Sequence, residues 1–311
     1  MTATTFSLGR EAGGDGRFER QASRFRNRVE PGGAHPPEAG RYHLYVSFAC
    51  PWAHRTIIGR RLKGLEEAIS LSEVDPIRDE RGWAFTGGRY TDPVNGFRFL
   101  SEAYRATDPD FDGRVSVPVL WDKAAGRIVN NESADVLRML DSAWGELAED
   151  RVQLYPEPLR DEIDAWNERV YATVNNGVYR TGFATTQAAY DDAFEALFAT
   201  LDELEGHLAT RRFLVGPAPT EADWRLFTTL VRFDAVYVSH FKCNRQRLVD
   251  FPNLWGFVRD LHATPGVGET VQLDEIKRHY YGTHPMLNPS GIVPRGPRID
   301  FRAPHDRARL G

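Results

Sequence analysis

At 311 residues, with 41% hydrophobic and 12% aromatic side chains, the chain is long enough for two domains or one large one, and apolar enough to bury a core. A net charge of −5, with acidic and basic residues interspersed, leaves no footprint for a phosphate backbone and argues against a nucleic-acid partner. The longest apolar runs, Thr56-Ile57-Ile58 and Val115 to Trp121 among them, fall far short of the roughly 20 residues that span a bilayer, so no membrane partner is expected.

The first thirty residues contain six arginines but also Glu11, Asp15, Glu19 and Glu30, and no apolar centre. They match neither a secretory signal nor an acid-poor transit peptide, and a cytoplasmic location is the resulting expectation. Only two cysteines occur, Cys50 and Cys243, too few for a disulfide framework and suited to a reducing compartment. Residues 1–40, rich in Gly, Pro, Arg and Glu with no sustained period, read as an extended arm in which no catalysis is expected.

From Arg41 to Phe48 the chain alternates and is aromatic and β-branched, the pattern of a half-buried strand. It leads into Ala49-Cys50-Pro51. Proline is pre-set for the first helical position, and Ala53, Ile57, Ile58, Leu62 and Leu65 continue at helical spacing, with Gly64 and its neighbours ending the helix. A second strand spans Ala68 to Val74. The insertion 75–113, carrying Trp83, Tyr90, Phe97, Phe99 and Tyr104, is aromatic enough to pack. Val115 to Trp121 reads as a strand interrupted by Pro118, tolerable at an edge, a bulge or a strand start. The turn Asp122 to Gly126 joins it to Arg127-Ile128-Val129 in a hairpin, and Asn131-Glu132-Ser133 opens a helix through Val136, Leu137 and Leu140.

This order predicts an α/β thioredoxin-like domain over residues 41–145, with helices on both faces of a sheet. After the linker Tyr155-Pro156-Glu157-Pro158 the period becomes 3.6: Tyr190, Phe194, Leu197, Phe198, Leu201, Leu204 and Leu208 form one stripe. Thr220 with Asp223 forms a capping box before a second helix, and a third runs from Asn253 to His262. An all-α helical domain is expected over 159–282, and the prolines and glycines of 283–311 mark a tail.

The chemistry centres on Cys50. A helix N-terminus presents unpaired N–H groups and about half a positive charge, which favours a thiolate. Residue 53 is alanine, where a dithiol redox site would carry its second cysteine, so Cys50 can form a disulfide only with a small thiol or another protein. An isolated free cysteine is more often a buried small hydrophobe; strand, cysteine, proline and helix in succession favour the nucleophile. Val117-Pro118 fits an ordinary trans edge strand, or the cis proline that thioredoxin-like folds place opposite their thiol, and the topology favours the second. Glu132-Ser133 fits plain helix capping or an anchor for the charged end of a tripeptide, and both can hold. No metal ligand set and no nucleotide loop is recognisable among the histidines, acids and glycines.

The segments Ala49-Cys50-Pro51-Trp52-Ala53-His54-Arg55-Thr56, Val117-Pro118-Val119-Leu120-Trp121-Asp122, Asn130-Asn131-Glu132-Ser133 and Val174-Asn175-Asn176-Gly177-Val178-Tyr179-Arg180 carry a family resemblance. So do Ala184-Thr185-Thr186-Gln187, Arg232-Phe233-Asp234-Ala235-Val236-Tyr237, Lys242-Cys243-Asn244, Ile276-Lys277-Arg278-His279-Tyr280-Tyr281 and Asn288-Pro289-Ser290-Gly291-Ile292-Val293-Pro294. Together they resemble the glutathionyl-hydroquinone reductases, the Xi class of the glutathione transferase superfamily. The resemblance implies a glutathione transferase fold, a homodimer, and glutathione as co-substrate without metal or nucleotide.

It further implies Cys50 as nucleophile, and gives Trp83, Arg114, Val115, Ser116, Val117, Pro118, Glu132 and Ser133 to glutathione. Tyr179 becomes the proton donor or acceptor for the aromatic substrate, beside Asn175-Asn176-Gly177, a cluster that reads as helix-breaking. Tyr237 and Tyr280 become neighbours that support the thiolate, although each taken alone reads as a core residue. Ser290 and Arg180, where the class commonly has threonine and lysine, touch no assigned role. The implied reaction removes glutathione from a glutathionyl-hydroquinone through a Cys50-glutathione mixed disulfide. A conventional transferase would use serine or tyrosine in place of Cys50. An omega-type dehydroascorbate reductase or thiol transferase would share the cysteine but not the later tyrosine motifs, and a non-catalytic module would have no reason to keep them.

Overall fold

The computed structural model describes residues 13–149 and 152–311; the part of the expected arm before residue 13 lies outside them. The chain forms two compact units. One gathers residues 21–149, 152–153 and 274–283, the other residues 13–20, 154–273 and 284–311.

In the first unit, β1 (Tyr42–Val46) pairs in parallel with β2 (Ile69–Glu73) and antiparallel with β3 (Val119–Asp122), which in turn pairs antiparallel with β4 (Arg127–Asn130). The sheet order is β2-β1-β3-β4, and Leu44 lies between Leu71 and Leu120 in register. Every residue of β1 and β3 is buried, so both faces of the sheet are covered, and β1 is not the half-buried strand expected from sequence. β1 stops at Val46 because Ser47 turns the chain: its carbonyl accepts from the Cys50 N–H (3.1 Å) and its hydroxyl from the Ala49 N–H (3.3 Å). β3 starts at Val119, later than the strand expected from Val115. Pro118 has no N–H to give a ladder, and the residues before it bond to Tyr104 instead of to the sheet.

Helix α1 (Pro51–Leu62) packs alongside α3 (Ser133–Ser142). Between them in sequence, the insertion folds around buried Asp92, whose carboxylate accepts from Tyr45 Oη (3.0 Å) and from the N–H groups of Val94 (3.0 Å), Asn95 (3.2 Å) and Phe97 (3.0 Å). It also contains α2 (Leu100–Thr107), which no periodicity announced because its apolar positions fill only two turns. Asp122, at the end of β3, is fully buried. It accepts two bonds from Arg41 (2.9 and 2.6 Å), one from His35 Nδ1 (2.8 Å), and the N–H groups of Ala124 (2.9 Å) and Ala125 (3.1 Å) in the hairpin turn.

The second unit is helical: α4 (Arg160–Val170), α5 (Gly177–Gly182), α6 (Gln187–Leu208), α7 (Glu221–Arg232) and α8 (Pro252–His262). The capping box is present at Thr220 and Asp223, and Asp223 also takes the Leu214 N–H (2.8 Å) while burial pushes its carboxyl up to about 6. α4 is absent from the sequence reading because only Ile163, Asn167 and Val170 of its eleven residues are buried. Residues 175–177 interrupt the α-helical run as the sequence suggested, with a turn at Asn176 between two helical stretches. A π-helical turn (Tyr171–Asn175) passes into α5, and the buried Asn175 amide donates to Arg225 O (2.9 Å) and Thr229 Oγ1 (2.8 Å) on α7. The last helix, α9 (Leu273–Thr283), lies with the first unit from Asp274 onward. The final segment is pinned to the helical unit by buried Arg307, which donates to the carbonyls of Leu208 (2.6 Å) and Arg212 (2.9 Å).

One close approach in this unit has a measurable consequence. A Cβ on Gly182 would stand 2.2 Å from Phe241 Cγ. Gly182→Ala is therefore expected to cost about 2–3 kcal/mol through overpacking, read as a lowered urea midpoint; a midpoint equal to wild type would show that Phe241 yields freely.

Candidate active site

Cys50 is the N-cap of α1, 9% exposed, with extended backbone and Pro51 following at the first helical position. The first turn of α1 holds no acidic side chain to offset the positive end of the helix dipole. The thiol faces the Val117 carbonyl across 3.7 Å, and the Val117-Pro118 peptide is cis, the alternative that topology favoured. The other thiol differs in kind. Cys243 is fully buried, its sulfur near the carbonyls of Phe241 (3.8 Å) and Val178 (4.0 Å), and burial pushes it far up from the ordinary thiol range. It is a small hydrophobe, not a reagent.

In the same unit as Cys50, three of the residues expected to hold glutathione, Ser116, Glu132 and Ser133, are fixed by hydrogen bonds. Arg55, buried on α1, places Nη1 3.5 Å from Ser133 Oγ at the start of α3, and its guanidinium lies 4.5 Å from the Trp52 ring centre. Glu132 caps α3 through the Ala134 N–H (3.2 Å) and also accepts from Ser23 Oγ (2.9 Å), a residue of the arm. Val115 and Val117 are buried.

Ser116 is held at both ends of its peptide by a residue the sequence reading did not single out: Tyr104 Oη donates to Ser116 O (2.7 Å) and accepts from Ser116 N–H (3.1 Å) and from the Asn131 amide (3.1 Å). Burial raises the Tyr104 phenol, so it stays protonated and acts as a fixed strut under residues 114–117 and beside Glu132. Its only sequence signal was its place among the aromatic residues of the insertion, which does not set it apart from Tyr90, Phe97 or Phe99.

Trp83 is 4% exposed and stacks on His279 of α9, ring centres 5.0 Å apart at 19°. His279 Nδ1 is tied to Pro76 O (2.6 Å), and Tyr280 packs edge-on to the same imidazole at 5.2 Å. Trp83 and Tyr280, distant in sequence, thus share one aromatic stack in the unit that holds Cys50.

Tyr179 and Tyr237 belong to the helical unit. Tyr179, on α5 and 9% exposed, lies in an aromatic cluster with Tyr237 (6.2 Å), Phe183 (6.1 Å) and Phe241 (5.4 Å); Tyr237 is fully buried and stacks on Phe241 at 5.5 Å. Phe18 and Arg20, from the arm for which no catalysis was expected, pack on the Tyr179 ring as well. Among the described residues no group of three His, Cys, Asp or Glu could hold a metal ion, and no helix is long and apolar enough to cross a membrane.

A thiol on the N-cap residue of a helix, facing the carbonyl that precedes a cis proline, with an all-helical unit following, is the arrangement of a glutathione transferase, and the comparisons agree. Residues 49–143 match the family described as glutathione S-transferase, N-terminal domain, and residues 187–260 that described as glutathione S-transferase, C-terminal domain. The chain belongs to the glutathione transferase superfamily. It is 53% identical over 284 residues to glutathionyl-hydroquinone reductase PcpF of Sphingobium chlorophenolicum, covering 91% of this chain and 90% of that protein. A solved glutathione-bound structure of YqjG from Escherichia coli K-12 superposes with a TM-score of 0.88 at 49% identity, over 91% of this chain and 96% of that one. The glutathione transferase Xi structure from Phanerochaete chrysosporium does so with a TM-score of 0.91 at 48% identity, over 95% and 97%. Within the superfamily, this chain is a member of the Xi class, the glutathionyl-hydroquinone reductases.

Proposed function

We propose that this protein uses glutathione to reduce glutathionyl-hydroquinones to hydroquinones, releasing oxidised glutathione. The observation that carries the reading is a thiol on the N-cap residue of a helix, opposite the cis Val117-Pro118 peptide, with alanine at residue 53 where an internal resolving cysteine would stand. The Cys50 thiolate attacks the sulfur of the conjugate. An S–S bond forms, the C–S bond breaks, and its electron pair passes to the ring carbon, which takes a proton from Tyr179. A second glutathione, as thiolate, attacks the mixed disulfide; oxidised glutathione leaves, the Cys50 thiolate returns, and the thiol proton of that glutathione restores Tyr179.

Trp83, the 114–118 segment, Glu132 and Ser133 hold glutathione in this reading, and Tyr237 and Tyr280 support the thiolate. We also assign the protein to the cytoplasm, on the two free cysteines that suit a reducing compartment, and to a homodimer, on the family resemblance. Purified protein with glutathione should convert the glutathionyl conjugate of menadiol to menadiol and oxidised glutathione one for one, with ping-pong kinetics. Reduction of dehydroascorbate without any release of menadiol would overturn the reading in favour of an omega-type reductase. Tyr179→Phe should lower kcat for the conjugate about a hundredfold yet leave glutathione-dependent reduction of a small disulfide intact, because that reaction protonates no ring. Equal kcat on the conjugate would remove Tyr179 from the mechanism.

A further inference from the structure

The arm is fastened where it crosses the helical unit. Gly16 has φ +83°, its carbonyl accepts from the Thr185 N–H (3.0 Å), and a Cβ there would stand 2.7 Å from Thr186 Cγ2. Thr186 Oγ1 donates to Asp15 O (3.2 Å), and Arg17 pairs with Asp192 (2.7 Å), so residues 15–17 are held on the start of α6 from both sides. The next residues then land on Tyr179. Phe18 is buried and stacks on its ring at 6.3 Å and 25°, with Phe183 5.4 Å away. The Arg20 guanidinium lies 4.7 Å over the same ring, and its Nε donates to Asn176 Oδ1 (2.8 Å), one helical turn before Tyr179.

We propose that Arg20 is a positioning residue for ring protonation, its guanidinium stabilising the tyrosinate that remains when the Tyr179 hydroxyl gives its proton to the ring carbon. The proposal rests on the reading of Tyr179 as that proton donor. A neutral phenol attracts a cation only through the quadrupole of its ring, whereas a phenolate carries a full negative charge delocalised into the ring, and at this distance and burial the second attraction is much the stronger. The interaction therefore grows along the step and lowers its barrier without tightening the ground state to the same degree. Because Asn176 fixes the guanidinium beforehand, little reorganisation accompanies the proton's departure. The proton is not lost to the cycle: it returns from the second glutathione thiol.

The test is a double-mutant cycle on the full chain, with the menadiol conjugate as substrate and glutathione-dependent reduction of a small disulfide as a parallel readout of fold and thiol. Arg20→Met is expected to lower kcat for the conjugate about tenfold or more with KM changed less than about threefold. Arg20→Lys should recover a large part of the loss, and disulfide reduction should stay near wild type. In the Tyr179→Phe background, Arg20→Met should have less than about a twofold further effect. An equal fold-loss in both backgrounds, no recovery by lysine, or a parallel loss of disulfide reduction would make the arm merely structural and overturn the proposal. Undiminished turnover by Tyr179→Phe alone would instead overturn the underlying reading of Tyr179. A slow Tyr179→Phe beside an unimpaired Arg20→Met would sink only the role of Arg20.

Discussion

Cys50→Ser is expected to lose turnover of a glutathionyl-hydroquinone by at least about a thousandfold. A serine hydroxyl at neutral pH is almost wholly un-ionised and cannot form the mixed disulfide on which the second half of the cycle depends. The substitution should leave the fold intact. The side chain is small, it faces the Val117 carbonyl at 3.7 Å, and serine is itself a preferred N-cap. Two measurements check this. Hydroquinone release by the variant should be at background while its urea midpoint stays within the equivalent of about 1 kcal/mol of wild type, and mass spectrometry of wild-type protein exposed to substrate without excess glutathione should find one glutathione, on Cys50. An adduct on Cys243, or turnover by the serine variant, would refute the assignment. The burial of Cys243, and the direction in which burial moves its thiol, is the physical reason neither is expected.

The second large effect is on stability. Asp122 joins β3, the hairpin turn, Arg41 and His35 through one buried carboxylate. Removing it in Asp122→Ala leaves the Arg41 charge and two turn N–H groups without their acceptor, for which about 3–5 kcal/mol is the expected cost. Although burial alone would raise this carboxyl, the bonds from Arg41, His35 and Ala125 outweigh it and hold it at about 2. A carboxyl depressed in the folded state stabilises fully above its unfolded value near 4, and the stabilisation disappears as pH falls towards 2. That linkage is worth about 2 kcal/mol. The difference in unfolding free energy between wild type and Asp122→Asn should therefore be largest at pH 7 and shrink between pH 4 and pH 2. A difference that widens on acidification would contradict the role given to Arg41.

The elements that were legible from sequence share a property: each is announced within its own few residues. Alternation marks β1, Pro51 and its helical spacing mark α1, and the apolar stripe of α6 and the box at Thr220 and Asp223 mark the helical unit. Where the local signal is thin, the reading ended early. α2 and α5 are only eight and six residues long, α4 buries only three side chains, and α9 begins without a side-chain cap. The cluster Asn175-Asn176-Gly177 announced the interruption between the π-helical turn and α5, but not the task of Asn175, whose amide donates to Arg225 and Thr229, fifty residues on. Such a contact leaves no mark in any local window.

What the sequence by itself determined is the kind of chemistry: one thiol after a strand, proline and helix behind it, alanine at residue 53, and motifs of one class of transferase. The thiol, the proline and the alanine are statements about residue type and short spacing, for which local conformation suffices, whereas the class rests on the resemblance that the motifs carry. Only the tertiary structure decided which groups attend that chemistry. Tyr104 reaches Ser116 and Asn131, Trp83 meets His279, and Phe18 and Arg20 come from an apparently featureless arm to cover Tyr179. Each of these pairs closes a loop of many residues, a cost in chain entropy that only the folded whole repays, so no stretch of the chain taken alone could have shown them.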